Sequence, residues 1–115
     1  MHESGDTLAA QLQTIQKLRR EDLRHGDQMV VTTRNSCYRI WKITGEQFLV
    51  WGGWFDREGS SPVRVGINGC TWGGSAIATG ILAARGLRLE FGNRVVTSQI
   101  RSIRVIRSNA SSTLN

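Results

Sequence analysis

Apolar and polar residues alternate along most of the chain between residues 29 and 106, most clearly in residues 29–33, 38–43 and 48–53. A period of two is typical of β-strands that bury one face. The turn-forming segments Arg34-Asn35-Ser36-Cys37 and Thr44-Gly45-Glu46 separate these three stretches. The pattern therefore predicts three consecutive antiparallel strands joined by tight turns.

The second half of the chain continues this pattern with shorter segments. Residues 63–67 predict a fourth strand, and Asn68-Gly69 predicts a hairpin turn after it. Residues 87–91 and 95–97 predict a second hairpin around Gly92-Asn93. The remaining segments are a polar loop and a stretch whose structure the pattern leaves open.

The polar loop covers residues 54–61, and the open stretch covers residues 76–85. The latter fits either a short helix capped by Ser75 or an extended segment, and Gly80 weakens both interpretations. We favour irregular or extended structure there. The last strand is expected to place Ile103 and Val105 inward and Arg104 outward.

The first segment has a different period. Leu8, Leu12, Ile15 and Leu18 recur at spacings of four, three and three. This is one apolar stripe on a helix with 3.6 residues per turn, and Gly26 provides a stop signal. The pattern predicts an N-terminal amphipathic helix within residues 1–25. Its stripe could pack across an open end of a barrel or form a dimer seam.

The whole pattern predicts an all-β fold in a single domain. It comprises a small β-barrel of about five to seven short antiparallel strands, formed by residues 26–107 and preceded by the N-terminal α-helix. Residues 108–115 are rich in Ser, Asn and Thr, and we expect them to form a disordered tail.

The order of the segments, with a last strand entered through Thr97-Ser98-Gln99-Ile100-Arg101-Ser102-Ile103, resembles that of SH3-like and Sm-like small barrels. Residues 26–32 (Gly-Asp-Gln-Met-Val-Val-Thr) and 87–91 (Leu-Arg-Leu-Glu-Phe) are also similar to segments of uncharacterised bacterial small-barrel proteins. The resemblance implies a fold and no known activity. The chain lacks the peptide-groove tyrosine pair of eukaryotic SH3 domains and the RNA-binding signature of bacterial Sm-like chaperones.

Charge and cysteine content narrow the classes of partner. Fifteen Lys and Arg residues outnumber nine Asp and Glu residues, the formal net charge is +6, and thirteen of the basic residues are arginine. This excess favours a polyanion or an acidic protein surface. Arginine suits bidentate phosphate contacts and stacking. A genome-wide preference for arginine would give the same count, so the composition does not decide between a functional and a compositional origin.

No pattern in the chain indicates a metal site, a cofactor or a membrane span. Cys37 and Cys70 lack a zinc-ligand spacing, and neither His2 nor His25 lies at a ligand-like offset from them. The N-terminus lacks the apolar core of a signal peptide, and no 18-residue apolar run occurs. We expect a cytoplasmic protein with reduced thiols and no membrane partner.

Catalytic groups do not converge in the sequence. One histidine is near the N-terminus and the other follows the predicted helix, so Cys37 and the hydroxyl residues have no evident base. The glycine spacings fit neither the Walker A loop nor the dinucleotide-binding fingerprint. We therefore predict a binding module without catalytic activity.

Strand phase places several arginines and tryptophans on the outer surface, which suggests RNA or single-stranded DNA as the ligand. Trp41 and Trp51 would form an exposed aromatic pair if they faced each other across adjacent strands. The predicted contact residues are Arg39, Trp41, Trp51, Arg88 and Arg104, with Trp54 and Arg57 as loop contributors. The alternative is a protein-interaction or homo-oligomerisation module, because Arg and Trp are also enriched at protein interfaces.

Overall fold

The computed structural model describes residues 12–108, which form eleven strands, one 3-10 turn and one short α-helix. In chain order these are β1 (Leu12–Ile15), β2 (Lys17–Arg19), the 3-10 turn (Arg20–Asp22), β3 (Gln28–Thr33), β4 (Cys37–Thr44), β5 (Gln47–Gly52), α1 (Gly53–Arg57), β6 (Val63–Val65), β7 (Ile67–Thr71), β8 (Ile77–Ala78), β9 (Ile81–Ala84), β10 (Arg88–Phe91) and β11 (Ile100–Ile106).

The strands form one large and two small antiparallel sheets. The large sheet has the order β1-β11-β3-β4-β5-β6, and the smaller ones have the orders β10-β7-β8 and β2-β9. The all-β class is confirmed. The sheets are open, however, so the predicted barrel does not close among the described residues. The short edge strand β6 pairs with β5 alone, and the chain then leaves the large sheet at Gly66 to form β7.

The predicted N-terminal helix is wrong for the part of it that the structure describes. β1 pairs with β11, and β2 pairs with β9. Leu18 is buried through β2, where it lies opposite Ala83. The apolar spacing alone fitted a helix, but pairing with β11 and β9, which are distant in the sequence, outweighs that local preference. Residues 1–11, which include Leu8, lie outside the described range.

The predicted meander is confirmed as β3, β4 and β5, which pair in sequence. The second half of the chain differs more from expectation. Asn68-Gly69 is not a turn but part of β7, where the Asn68 side chain donates a hydrogen bond to Glu90 Oε2 at 2.8 Å. Gly69 allows close contact with β8, because a Cβ there would lie 2.4 Å from the Ala78 carbonyl oxygen.

Two ambiguous segments acquire defined structure. Residues 76–85 are mainly extended, as favoured from the sequence, and contain β8 and β9. The expected polar loop begins with α1, whose Phe55 is fully buried and packs edge-on against Tyr38 and Phe91. The strand predicted at residues 95–97 does not form; only one isolated β-bridge, between Val96 and Glu90, occurs there.

The core lies between the inner face of the large sheet and the two smaller sheets. Inward-facing residues alternate along β3, β4 and β11, as the sequence period predicts. The members of the core include Met29, Ile40, Phe48, Ile103 and Val105 from the large sheet, and Ile67, Leu82, Leu89 and Phe91 from the smaller sheets. One face of the large sheet is thereby covered, while its outer face carries the polar and aromatic residues.

Arg20 holds the layers together near the 3-10 turn. Its Nη2 donates hydrogen bonds to the carbonyl oxygens of Ile67 at 2.6 Å and Asn68 at 3.0 Å. Its Nη1 contacts Glu46 Oε1 at 2.9 Å. The planar guanidinium satisfies acceptors on two elements at once. This arginine is therefore part of the scaffold and not of an open basic surface.

Within residues 12–108, the structure contains no helix of sufficient length and apolar character to cross a bilayer.

Candidate nucleic-acid interface

Strand register places the outward residues of the large sheet in rows. One row runs from Arg104 on β11 through Val30 on β3 and Arg39 on β4 to Trp51 on β5. Adjacent strands lie about 4.8 Å apart, so Arg104 and Arg39 are separated by about 10 Å across the sheet. The side chains of both arginines point away from the core and are exposed.

The neighbouring row contains Trp41 and Arg64. Trp41 lies opposite Gln28 on one side and Leu49 on the other, and Leu49 lies opposite Arg64 on the edge strand. Trp41 is 38% exposed. We call the surface formed by Arg39, Trp41, Trp51, Arg64 and Arg104 the basic sheet face.

Trp41 and Trp51 share this face but do not stand directly opposite each other. Trp51 faces Arg39, and Trp41 faces Leu49, so the two indoles are diagonal neighbours. The Arg39 guanidinium carbon lies 4.6 Å from the centre of the Trp51 ring. This is a cation–π contact. Arg39 therefore covers one side of Trp51 and leaves Trp41 as the more open aromatic surface.

The basic sheet face has no carboxylate of its own. The six strands of the large sheet contain no Asp or Glu. The ion pairs among the described residues join Arg20 and Lys42 to Glu46, and Arg107 to Asp27. Arg39, Arg64 and Arg104 thus lack an acidic partner in this part of the chain. Their positive charge is available to a ligand.

Trp54 and Arg57 lie on α1, at the end of the sheet where β5 finishes. The Trp54 backbone N–H donates a hydrogen bond to the Tyr38 hydroxyl at 3.2 Å, and the indole is 40% exposed. Arg57 Nη1 donates to Ser36 Oγ at 3.2 Å. Hydrogen bonds from Ser61 and from the Gly52 backbone N–H lower the pKa of the exposed Asp56. The helix therefore carries mixed charge, unlike the basic sheet face.

Arg88 is the predicted site residue that lies on neither the large sheet nor α1. It lies on β10 of the smaller sheet, opposite Thr71, and is exposed. It lines a surface groove with Arg34, from the β3–β4 turn. The sequence pattern marked Arg34 only as part of a turn, and nothing local in the sequence indicated that it would lie near Arg88.

Trp72 follows β7 directly and is the most exposed large apolar residue described, at 69%. It was not among the contact residues predicted from the sequence. Its position beside Thr71, the register partner of Arg88, places it at the smaller sheet and not on the basic sheet face.

A larger cleft of about 620 Å³ lies at the opposite end of β3, between the residues that precede β3 and those that follow β11, and has mixed charge. Its lining includes Glu21, Asp22 and Arg24, and its buried Asp27 is paired with Arg107 at 2.9 Å. Among residues 12–108, no three His, Cys, Asp or Glu side chains are grouped as a metal site would need. These features do not favour a polyanion at this cleft.

Compared with models of known protein families, with curated proteins and with solved structures, the chain has no match. The functional argument therefore rests on the arrangement of the described residues.

Proposed function

We propose that this protein is a non-catalytic binding module for single-stranded RNA or DNA, which it contacts through the basic sheet face. One observation carries the proposal: an outward sheet surface combines three arginines and two tryptophans and contains no carboxylate. Arginine neutralises phosphates, and aromatic rings stack on bases.

The geometry supports distinct roles for the residues of this face. Arg104 and Arg64 lie on either side of the tryptophans and are placed to contact phosphates. Trp41 offers a ring for base stacking, and the Arg39 guanidinium on Trp51 offers a second planar surface. A stacked base contributes about 1–3 kcal/mol. Single strands are favoured over duplexes because their bases are free to stack on side chains.

The test is fluorescence anisotropy of labelled single-stranded RNA and DNA at several salt concentrations. We expect binding to weaken linearly on a log–log salt plot. Removing both Arg64 and Arg104 by substitution with Gln should lower the slope by about 1.4, because each lost phosphate contact removes about 0.7. Trp41→Ala should weaken binding while leaving the slope nearly unchanged.

Arg94→Gln is the matched control, because Arg94 is exposed in the turn after β10 and lies on neither face of the large sheet. It should bind like the unmodified protein. Absence of binding at low salt, or equal losses for Arg94→Gln and the double variant, would contradict a localised nucleic-acid site.

A protein-interaction or homo-oligomerisation module is the alternative, supported by the edges of the large sheet. Within the described residues, β1 and β6 each pair on one side only, and unpaired edges can accept another strand. Self-association through the basic sheet face itself is disfavoured, because Arg39, Arg64 and Arg104 would approach like charges. Light scattering distinguishes the cases: a salt-insensitive dimer mass without oligonucleotide binding would favour the alternative.

The likeness to SH3-like and Sm-like folds remains a proposal at the level of strand order. It is supported by the pairing of the final strand, β11, with β3, the first strand of the meander. We also propose a cytoplasmic location, in keeping with the unpaired thiols of Cys37 and Cys70.

A further inference from the structure

A second basic surface lies at the end of the molecule where the β3–β4 turn meets the segment before β11. It is a groove of about 370 Å³ lined by Arg34, Asn35, Arg88, Ser98 and Gln99. We call it the Arg34–Arg88 groove. All five lining residues are polar, and none of them is acidic. The groove therefore has the chemistry of an anion site.

Hydrogen bonds fix the walls of this groove. Arg34 N donates to the Gln99 carbonyl oxygen at 2.8 Å, and Asn35 N donates to Ser98 Oγ at 3.0 Å. Gln99 Nε2 donates to the Gly86 carbonyl oxygen at 2.9 Å, which ties this connector to the turn before β10. Three segments distant in sequence are thus held in one arrangement. A preorganised site of this kind reduces the entropy cost of binding.

The two arginines of the groove have no partner among the described residues. Neither guanidinium takes part in an ion pair or a hydrogen bond there. Arg88 Nε lies close to the loop at Gly73, where a Cβ would be 3.8 Å away. An anion in the groove would offset the positive charge of both arginines.

The turn that carries Arg34 follows β3, and β3 contributes Val30 to the outward row of the basic sheet face. Arg34 follows Val30, the residue between Arg104 and Arg39 in the outward row, by four positions. At about 3.3 Å per residue this is about 13 Å along the strand. A single strand that covers several nucleotides can reach both places; for comparison, single-strand-binding OB folds cover about 4–16 nucleotides.

We propose that the Arg34–Arg88 groove binds one phosphate group of the nucleic-acid strand that lies on the basic sheet face. The inference rests on the proposed function. It adds a second contact point, and thereby a path for the nucleic-acid strand from the basic sheet face toward the groove. Arg34 and Arg88 supply the charge, and the fork of each guanidinium suits two phosphate oxygens. The phosphate is either an internal one or the terminal one of the strand.

The first experiment titrates the ¹⁵N-labelled full chain with inorganic phosphate and follows its amide resonances. We expect saturable shifts confined to residues 34–36, 88 and 98–99. The double variant R34Q/R88Q should lose these shifts, whereas Arg94→Gln and Trp41→Ala should keep them. Unchanged dispersion of the remaining resonances shows that each variant is folded. Shifts that persist in R34Q/R88Q, or that are absent in the unmodified protein, would overturn the groove as a phosphate site.

The second experiment measures anisotropy with one oligonucleotide carrying either a 5′-phosphate or a 5′-hydroxyl. R34Q/R88Q should bind about fivefold to tenfold more weakly at low salt, with a salt slope lower by about 0.7. A loss seen with both oligonucleotides indicates an internal phosphate, and a loss confined to the 5′-phosphorylated one indicates the terminal phosphate. If R34Q/R88Q bound the oligonucleotide as tightly as Arg94→Gln does, the proposal that one strand contacts both the groove and the basic sheet face would be overturned.

The two experiments separate failure of this inference from failure of the proposed function. Groove shifts with phosphate but no oligonucleotide binding would overturn the nucleic-acid proposal and the shared strand, and would establish a site for small phosphates. Oligonucleotide binding that depends on Trp41 and Arg39 but not on Arg34 and Arg88 would support the basic sheet face and overturn the inference about the groove.

Discussion

Asp27 is a buried carboxylate that fixes the end of the last strand to the start of β3. Its Oδ1 accepts the Ser108 N–H at 2.8 Å, and its Oδ2 accepts the Arg24 N–H and Arg107 Nη1, both at 2.9 Å. Burial by itself raises the pKa of Asp27, but these hydrogen bonds and the Arg107 charge outweigh it. The pKa is therefore lowered from its ordinary value of 3.8.

The lowered pKa makes the free energy of unfolding depend on pH. The stabilisation from ionised Asp27 is fully present above the unfolded pKa of about 3.8 and is lost as the pH falls through the lower folded value. We expect Asp27→Asn to cost about 1–3 kcal/mol at pH 7. The difference from the unmodified protein should shrink below pH 4, as measured by urea unfolding across pH.

Glu58→Gln is the control for this prediction, because Glu58 is exposed and forms no ion pair among the described residues. It should unfold like the unmodified protein at pH 7. A cost of Asp27→Asn that stayed constant from pH 7 to pH 2 would show that packing, and not the charge, explains the effect.

The two cysteines should differ strongly in reactivity. Cys37 is exposed at the start of β4, whereas Cys70 is fully buried in β7. Burial raises the pKa of the Cys70 thiol to about 11, and the thiolate is the reactive form. A disulfide reagent at pH 8 should label one thiol in the folded protein and two after unfolding in urea. Rapid labelling of both thiols in the folded state would contradict the buried position of Cys70.

The junction between β5 and α1 is an element-scale feature that requires glycine. Gly52 has φ +104°, and a Cβ there would lie 2.2 Å from the Cys37 carbonyl oxygen. Gly59, after α1, has φ +70° but nothing within 4 Å of the corresponding Cβ position. Comparing Gly52 with Gly59 therefore separates the energetic cost of backbone strain from the cost of steric overlap.

We expect Gly59→Ala to lower the free energy of unfolding by roughly 1 kcal/mol through strain alone. Gly52→Ala should cost at least about 2 kcal/mol, because β4 must also move away from the new methyl group. Urea denaturation of both variants measures the difference. Equal costs would show that the contact with Cys37 adds nothing to the strain.

At the scale of the elements, sequence period was informative where a strand pairs with its neighbour in the chain. β3, β4 and β5 pair in this way, and their turns lie between the predicted segments. β1 and β2 pair instead with β11 and β9, which lie far away in the sequence. A local pattern contains no information about those partners, so the apolar spacing of the first segment was interpreted as a helix.

At the scale of the whole molecule, the inner face of the large sheet contributes to the core, and its outer face forms the proposed binding surface. β11 is the last strand of the described residues but lies inside the sheet, between β1 and β3. Ile103 and Val105 of β11 are fully buried, and Arg104 between them is exposed. Successive residues of one strand therefore belong to the core and to the basic sheet face.

Ile103→Ala should lower the free energy of unfolding by about 2–5 kcal/mol, because it leaves a cavity between the layers. Arg104→Gln should change it by less than about 0.5 kcal/mol and should weaken oligonucleotide binding. Urea unfolding and anisotropy on the same preparations measure both effects. Strong destabilisation by Arg104→Gln would show that this arginine supports the fold and would remove it from the proposed interface.

The sequence by itself determined the class of fold and the phase of most strands. The period of two identifies Ile103 and Val105 as inward and Arg39, Trp41 and Arg104 as outward, because side chains alternate between the faces of any strand. It also determined the net positive charge, which favours a polyanion or an acidic protein surface as partner. These properties depend on residue type and local spacing alone.

Only the tertiary structure decided which of these residues come together. Register places Arg39 against Trp51 and leaves Trp41 more open, and a shift of one residue would have sent these side chains to the other face. Contacts between distant segments bring Arg34 and Arg88 to one groove and pair the first described segment as strands. The same packing leaves the sheets open among the described residues. The physical reason is that pairing partners are chosen by the packing of the whole core, which no local period specifies.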